Sequence, residues 1–137
     1  MHPEAREPDQ EVGDMDESEM ISRGKEVFEE CYRGVVPMPA VDPREFSGMT
    51  MKMFNDFWGD GRLSFRDKRL VVLGILAGMG ADPSLFTIHA KSALRNGEMS
   101  AEEARAVVLM ALPYVGFAKA SPIFVATEAL IAEESDK

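Results

Sequence analysis

The sequence predicts an all-α fold of about six helices joined by short loops. Apolar residues recur every three or four positions through most of residues 19–133, which is the spacing of one face of an α-helix. Helix-start patterns precede four of the later segments, and no segment shows the alternation or the hairpin turns of β-strands. At 137 residues the chain has the length of one domain. We therefore expect a single compact helical domain over residues 19–137.

The first two predicted helices each carry an apolar face. The first runs from Glu19 to about Val36 and ends before two prolines, which cannot continue a helix. In the second, methionine and aromatic side chains follow a three-to-four spacing: Phe46, Met49, Met53 and Phe57. A stripe of this composition is more often core or subunit interface than a cofactor site. We expect it to be buried in one of these two ways.

The third predicted helix holds a twelve-residue run of small and apolar residues, LVVLGILAGMGA, at residues 70–81. Ser64 and Asp67 fit a capping box at its start. Because the helix is apolar nearly all round, we expect it to be buried centrally. Gly74 and Gly78 lie one turn apart, and each glycine costs a helix about 1 kcal/mol relative to alanine. Close packing of another helix against them would compensate for that cost.

Three further helices follow from their end signals. Asp82 and Pro83 have the pattern of an N-cap and a first helical residue, and Gly97 marks the end of that helix. Ser100 with Glu103 predicts a second capping box. Pro113 should bend or end the helix that follows, because proline removes a backbone donor. The last helix is expected to begin at Ser121 and Pro122 and to run to about Glu133.

Charge is concentrated at the N-terminus. Residues 1–20 hold eight acidic residues and one arginine, which accounts for −7 of the net charge of −9. Residues 1–18 should therefore form a disordered acidic tail, and the nearly neutral remainder predicts neither a nucleic-acid nor a membrane partner. The single cysteine, Cys31, cannot form an intrachain disulfide. With no secretory signal and no run long enough to span a membrane, we expect a cytoplasmic protein.

His89 is the residue best suited to chemistry. It is the one histidine outside the tail, and it falls within a largely apolar predicted helix. A lone histidine in such a place is more often a satisfied structural residue than a catalyst. No second histidine or cysteine lies at ligand spacing, so no metal is expected. A basic cluster at the start of the central helix, which includes Arg66 and Arg69, is either a solvated face or a carboxylate-binding site for a substrate or a neighbouring subunit.

Several segments together resemble the carboxymuconolactone decarboxylase family, which includes the alkylhydroperoxidase D-like proteins. They are the step from Trp58 to Leu63, the H-x-x-x-A-L-x-N-G run from His89 to Gly97, and the pair Glu102 and Glu103 followed by Y-x-G. The resemblance extends over residues 21–133. It implies a helical subunit that assembles as a homotrimer or homohexamer without a cofactor. The apolar stripe of the second helix is a physical reason to expect such assembly.

The resemblance also implies site residues for decarboxylation of a carboxylated lactone in aromatic catabolism. Arg66 and Arg69 would bind the substrate, His89 would donate a proton, and Tyr114 would donate a hydrogen bond to the enolate. Two positions depart from the pattern of the family's decarboxylases. Met110 stands where they usually carry a second histidine, and Ser84-Leu85 stands where they tend to have Glu-Leu. The identity of the substrate therefore stays open.

The family's thiol peroxidases carry a C-x-x-C pair just before the histidine, and this chain has Asp82 and Leu85 at those positions. Peroxidase chemistry of that kind is not expected, because both thiols are missing. Two functions of different classes remain. One is a cofactor-free lyase acting on a small carboxylic acid or lactone, and the other is a non-catalytic ligand-binding or assembly member. A histidine beside an arginine and an open cavity favours the first, whereas one capped by a backbone carbonyl in a dry core favours the second.

Overall fold

Helices make up most of the computed structural model, which describes residues 15–137. This part of the chain forms six α-helices and one π-helical turn, Phe54–Trp58, which directly continues the second helix. The helices are α1 (Glu17–Tyr32), α2 (Phe46–Met53), α3 (Phe65–Met79), α4 (Pro83–Arg95), α5 (Ala101–Val115) and α6 (Phe117–Ser135). The predicted all-α fold is thus confirmed. Among residues 15–137, none of the helices combines the length and the hydrophobicity that a membrane span requires.

The chain divides into two compact units, the first ending at residue 65 and the second covering residues 66–137. The single domain expected over residues 19–137 stays a prediction. Residues 1–14 of the predicted tail lie outside the described residues. Glu17 and Ser18 belong to α1, whose first turn is capped by the Asp16 carboxylate accepting from the Glu19 amide at 2.8 Å. The helix therefore begins two residues earlier than expected.

In the first unit, α1 packs against α2 and the π-helical turn. The Phe28 ring meets Tyr32 and Phe54 edge to face, with ring centroids 4.8 and 5.1 Å apart. Close approach of the helices depends on Gly24, because a Cβ there would lie 1.9 Å from the Met51 carbonyl oxygen. Cys31 is fully buried in this unit. The left-handed conformation of Arg33 (φ 48°) ends α1 before the predicted Val36.

The methionine and aromatic stripe is not part of the core. Its four members, Phe46, Met49, Met53 and Phe57, are between 38% and 87% exposed. The buried apolar side chains of this segment are instead Met51, Phe54 and Trp58. Spacing alone identified an apolar face, but the opposite face packs on α1. The core alternative of the prediction is therefore wrong, and the interface alternative stays a prediction.

The second unit has a core built by α3, α4, α5 and α6. Alanines from α3, α4 and α5 lie among larger apolar residues, of which Phe86 of α4 is the one aromatic residue in the cluster. The cluster contains Leu73, Ala77, Phe86, Ala90, Ala93, Met99, Ala104, Val108, Ile123 and Leu130. Each of these is less than 9% exposed. At about 25 cal/mol for each Å² of apolar surface buried, such a cluster is the main stabilising contribution in this unit.

The expected all-round burial of α3 is wrong. Val71, Ile75 and Met79 are 53% to 70% exposed. A Cβ added at Gly74 or Gly78 would meet nothing within 4 Å, so no helix of the described chain packs closely against these glycines. Apolar composition shows which residues avoid water but not which surface covers them. In residues 15–137, α3 buries only the face that carries Arg69, Leu73 and Ala77.

The predicted starts of α4 and α5 agree with the structure, whereas those of the first and last helices do not. Asp82 caps α4, and the Ser100 and Glu103 capping box opens α5 with both reciprocal hydrogen bonds. Pro113 lies inside α5, which ends two residues later. The expected start of the last helix at Ser121 and Pro122 is wrong, because α6 begins at Phe117 and includes Pro122. Gly116, with φ 88°, is the residue that separates the two helices.

Candidate functional site

A buried arginine lies at the centre of the candidate site. Arg69 follows the first turn of α3, one turn before Leu73, and its side chain is completely buried. Its Nε donates to Glu98 Oε1 at 3.0 Å, and its Nη2 donates to Glu98 Oε2 at 2.9 Å. Two parallel hydrogen bonds of this kind hold a guanidinium and a carboxylate in one orientation. The carboxylate also compensates the buried positive charge, which would otherwise be costly.

The third nitrogen of the same guanidinium contacts the candidate histidine. Arg69 Nη1 lies 3.0 Å from Nδ1 of His89, a partly buried residue of α4. An arginine can only donate, so Nδ1 must accept, and the neutral ring carries its proton on Nε2. The pKa of His89 is lowered to about 4, first by burial and then by the positive charge of Arg69, while the negative charge of Glu98 opposes both. At neutral pH the ring is therefore uncharged and offers an Nε2–H donor.

The end of α4 explains how Glu98 reaches Arg69. Asn96 ends the helix, and Gly97 takes a positive φ of 69° that turns the chain back. The Glu98 amide then donates to the Ala93 carbonyl oxygen at 2.9 Å, which holds the turn against the helix. Asn96 Nδ2 also donates to Glu98 Oε2 at 2.9 Å. Backbone and side chain thus fix the carboxylate before any ligand binds.

Arg66 lies one turn before Arg69 and belongs to the same network. Its Nε donates to the Glu98 carbonyl oxygen at 2.9 Å, and its Nη2 donates to Glu103 Oε2 at 2.8 Å. The side chain is 43% exposed, unlike that of Arg69. Its Nη1 makes no hydrogen bond within residues 15–137. Arg66 is consequently the guanidinium of this network that can still bind an anion.

Three of the four predicted site residues thus share one hydrogen-bonded network. Tyr114 lies in the last turn of α5, is 81% exposed, and makes no hydrogen bond to the described residues. Glu98 was not anticipated from the sequence. A buried arginine requires a carboxylate, and the expected carboxylate was that of a substrate or a neighbouring subunit. The structure shows that the partner of Arg69 belongs to the same chain.

A separate groove lies between α5 and α6. Its volume is about 390 Å³, and its walls are mainly apolar, with Leu109, Leu112, Phe117 and Phe124 among the lining residues. The lining includes the ion pair of Arg105 and Glu128, whose two hydrogen bonds measure 2.9 and 3.1 Å. His89 does not line this groove. The groove has the size and composition of a small-molecule site but lacks the titratable cluster.

The described residues contain no evident metal-binding site. Within residues 15–137 no three histidine, cysteine, aspartate or glutamate side chains come together as ligands. The network of Arg66, Arg69, His89 and Glu98 offers hydrogen-bond donors, acceptors and charge. A neutral imidazole donor in a partly buried place can stabilise an oxyanion that develops in front of it.

Comparison with known proteins gives one match. A sequence model described as the carboxymuconolactone decarboxylase family matches residues 43–129, more than half of the chain and a range that contains every candidate site residue. No curated protein and no solved structure matches the chain.

Proposed function

Because the chain belongs to the carboxymuconolactone decarboxylase family, we propose that it is a cofactor-free lyase. The substrate would be a small carboxylated lactone or a related acid formed during the breakdown of aromatic compounds. One observation carries the proposal, namely the hydrogen bond of 3.0 Å from Arg69 Nη1 to His89 Nδ1. This contact supports a neutral imidazole with a polarised Nε2–H, which can donate a hydrogen bond to an enolate oxygen.

The reaction can be written with the groups of this network. The bond between the substrate carbon and its carboxylate breaks, carbon dioxide leaves, and the electron pair passes to a neighbouring carbonyl oxygen as an enolate. His89 Nε2–H donates to that oxygen as its charge grows. A neutral imidazole with a lowered pKa performs this task in known enzymes, and one such donor typically contributes on the order of 100- to 1,000-fold in rate. A proton from solvent water then adds to the carbon that carried the carboxylate, which completes the reaction.

The two arginines take different roles in this proposal. Arg69 has three nitrogens engaged by Glu98 and His89, so it acts on the histidine rather than on the substrate. Arg66 retains Nη1, and it can bind a carboxylate of the substrate. Tyr114 remains a proposed hydrogen-bond donor to the enolate. Because Tyr114 is 81% exposed, its hydroxyl is available to donate to a substrate bound at the site of a neighbouring copy.

A second candidate is a non-catalytic ligand-binding or assembly member of the family. The observation that favours it is the complete burial of Arg69 and the 8% exposure of the Glu98 side chain, since a buried ion pair can be purely structural. In that case a ligand would occupy the groove between α5 and α6, where His89 plays no part. The two candidates predict different effects of removing the imidazole.

The test is His89→Leu, assayed for turnover of 4-carboxymuconolactone and of a panel of small carboxylic acids chosen by thermal shift. As a lyase, the wild-type chain should turn over at least one compound, and His89→Leu should lower kcat by about 100- to 1,000-fold. His2→Leu makes the same chemical change in the tail and should keep full activity. Melting temperatures are recorded on the same preparations. A His89→Leu chain with full activity per folded molecule would exclude the catalytic role.

A further inference from the structure

The Glu98 carboxylate is the group that orients Arg69. Its side chain is 8% exposed, and its two oxygens accept from Arg69 Nε, Arg69 Nη2 and Asn96 Nδ2 at 2.9 to 3.0 Å. Glu98 thus has its lone pairs directed at one guanidinium and one amide. No contact between Glu98 and His89 is needed for the carboxylate to influence the ring, because Arg69 contacts both.

The geometry of the guanidinium transmits this orientation. Its nitrogens are coplanar, and the pair Nε and Nη2 forms one edge of the plane. With that edge bound side-on to Glu98, Nη1 lies on the other side of the group, where it meets His89 Nδ1 at 3.0 Å. A lysine or a singly bonded arginine would not have its remaining donor placed in this way. The position of the donor at Nδ1 is therefore set by the carboxylate on the opposite edge.

We propose that Glu98 is a positioning residue that acts through Arg69 to hold His89 as the Nε2–H tautomer, so that the site binds its ligand through an acceptor oxygen. The ligand class is then a carbonyl, lactone or carboxylate compound rather than an amine. This inference rests on the proposed function for the choice of site. It differs from that proposal because it concerns the protonation of the ring and can be measured without turnover.

The competing explanation is that Glu98 acts on His89 only as a nearby negative charge. The charges that act on His89 are Arg69 from α3 and Glu98 from the connection between α4 and α5. The two explanations predict changes of opposite sign in the pKa of His89 when Glu98 is replaced by glutamine. If Glu98 is only a charge, its removal lowers the pKa of His89 further. If Glu98 holds Arg69 against Nδ1, its removal releases the arginine, and the pKa of His89 rises because the positive charge no longer lowers it, although burial still does.

The experiment is a pH titration of the histidine ring nitrogens by ¹⁵N NMR on the full-length chain. The chain contains two histidines, so His2→Gln assigns the spectrum. In the wild type we expect Nδ1 unprotonated, Nε2 protonated, and a midpoint near the value of about 4. Glu98→Gln should raise the midpoint while the backbone spectrum remains that of a folded chain. Glu102→Gln, the same change at an exposed partner of Arg105, should leave the midpoint unchanged.

Glu98→Asp provides a second test, which also decides the matter if Glu98→Gln does not fold. Aspartate keeps the charge but shortens the reach, so positioning predicts a raised midpoint and direct charge predicts the wild-type midpoint. A lower midpoint in Glu98→Gln, or an unchanged one in Glu98→Asp, would overturn the proposal. A wild-type ring protonated on Nδ1 would overturn it as well. Absence of turnover together with the expected tautomer would reject the lyase and leave this inference standing.

The ligand class is tested with two probes of equal ring size, γ-butyrolactone and pyrrolidine. The lactone presents acceptor oxygens, whereas pyrrolidine at neutral pH presents N–H donors. Saturating lactone should shift the Nε2 resonance of His89 in the wild type and in Glu102→Gln, and the shift should be lost in Glu98→Gln. Pyrrolidine should leave that resonance in place. A larger shift with pyrrolidine, or none with the lactone at any concentration at which the chain stays folded, would refute the assignment of ligand class.

Discussion

Replacement of Arg69 by methionine tests how much the buried ion pair contributes to stability. The side chain is completely buried, and its loss leaves the Glu98 carboxylate, itself 8% exposed, without the two hydrogen bonds of 3.0 and 2.9 Å that compensate it. Hydrogen bonds to charged groups contribute about 1.5–3 kcal/mol each, and breaking a buried pair from one side costs about 3–5 kcal/mol. We expect Arg69→Met to lower the free energy of unfolding by about 3–5 kcal/mol, measured by urea denaturation.

The control for this prediction is Arg62→Met, which removes an arginine paired with Asp60 at the protein surface. That variant should unfold at nearly the wild-type urea concentration, because exposed pairs contribute little. Replacing both Arg69 and Glu98 by methionine should recover much of the loss, since no buried charge is then left alone. An Arg69→Met chain that loses less than about 1 kcal/mol would refute the reasoning, because the carboxylate would then tolerate burial without its partner.

Three other predictions follow from the geometry. The unfolded chain binds more protons than the folded one between pH 6.5 and about 4, because the pKa of His89 is lowered to about 4 on folding. The free energy of unfolding should therefore fall by roughly 3 kcal/mol as the pH drops through that range, and His89→Leu should remove this loss in urea titrations at several pH values. Gly24→Ala should lower the melting temperature, because its Cβ would lie 1.9 Å from the Met51 carbonyl oxygen. Gly74→Ala, where the added Cβ meets nothing within 4 Å, should raise stability by about 0.5–1 kcal/mol, and equal losses in the two variants would contradict the packing argument. Light scattering at micromolar concentration should give a mass that is a multiple of three subunits of 15.1 kDa, because the exposed apolar stripe should be buried against another subunit. A monomer would contradict this prediction.

Local features of this fold could be predicted from the sequence because their partners are close in the chain. Ser100 and Glu103 exchange both capping hydrogen bonds across three residues, and Asp82 caps α4 through the amide of Ser84. The predicted start of α6 was wrong for a local reason as well. Gly116 ends the helix with a positive φ, whereas the sequence argument relied on Pro122, which α6 accommodates. Proline often marks the start of a helix, but here Gly116 is the residue that separates α5 from α6.

Tertiary features were harder to predict because periodicity gives the faces of a helix and not their neighbours. Phe46 and Phe57 have the spacing of a core face, yet the alternative face of the same segment packs against α1. The candidate site shows the same limit. Arg69 and His89 were predicted from residue type and resemblance, but their contact joins residues 20 positions apart, and Glu98 joins the network from 29 positions away. Only the folded chain shows that the arginine is already paired.

Because Cys31 is completely buried, chemical labelling of its thiol can measure how often the first unit opens. The chain has one cysteine and one tryptophan, and both lie in the unit that ends at residue 65. A thiol reagent can modify Cys31 only when that unit opens, so the rate of labelling under native conditions reports the free energy of opening. Trp58 fluorescence follows the same unit, while the ring of His89 reports on the other. Opening of the two units can therefore be followed separately in the intact chain, without any engineered label.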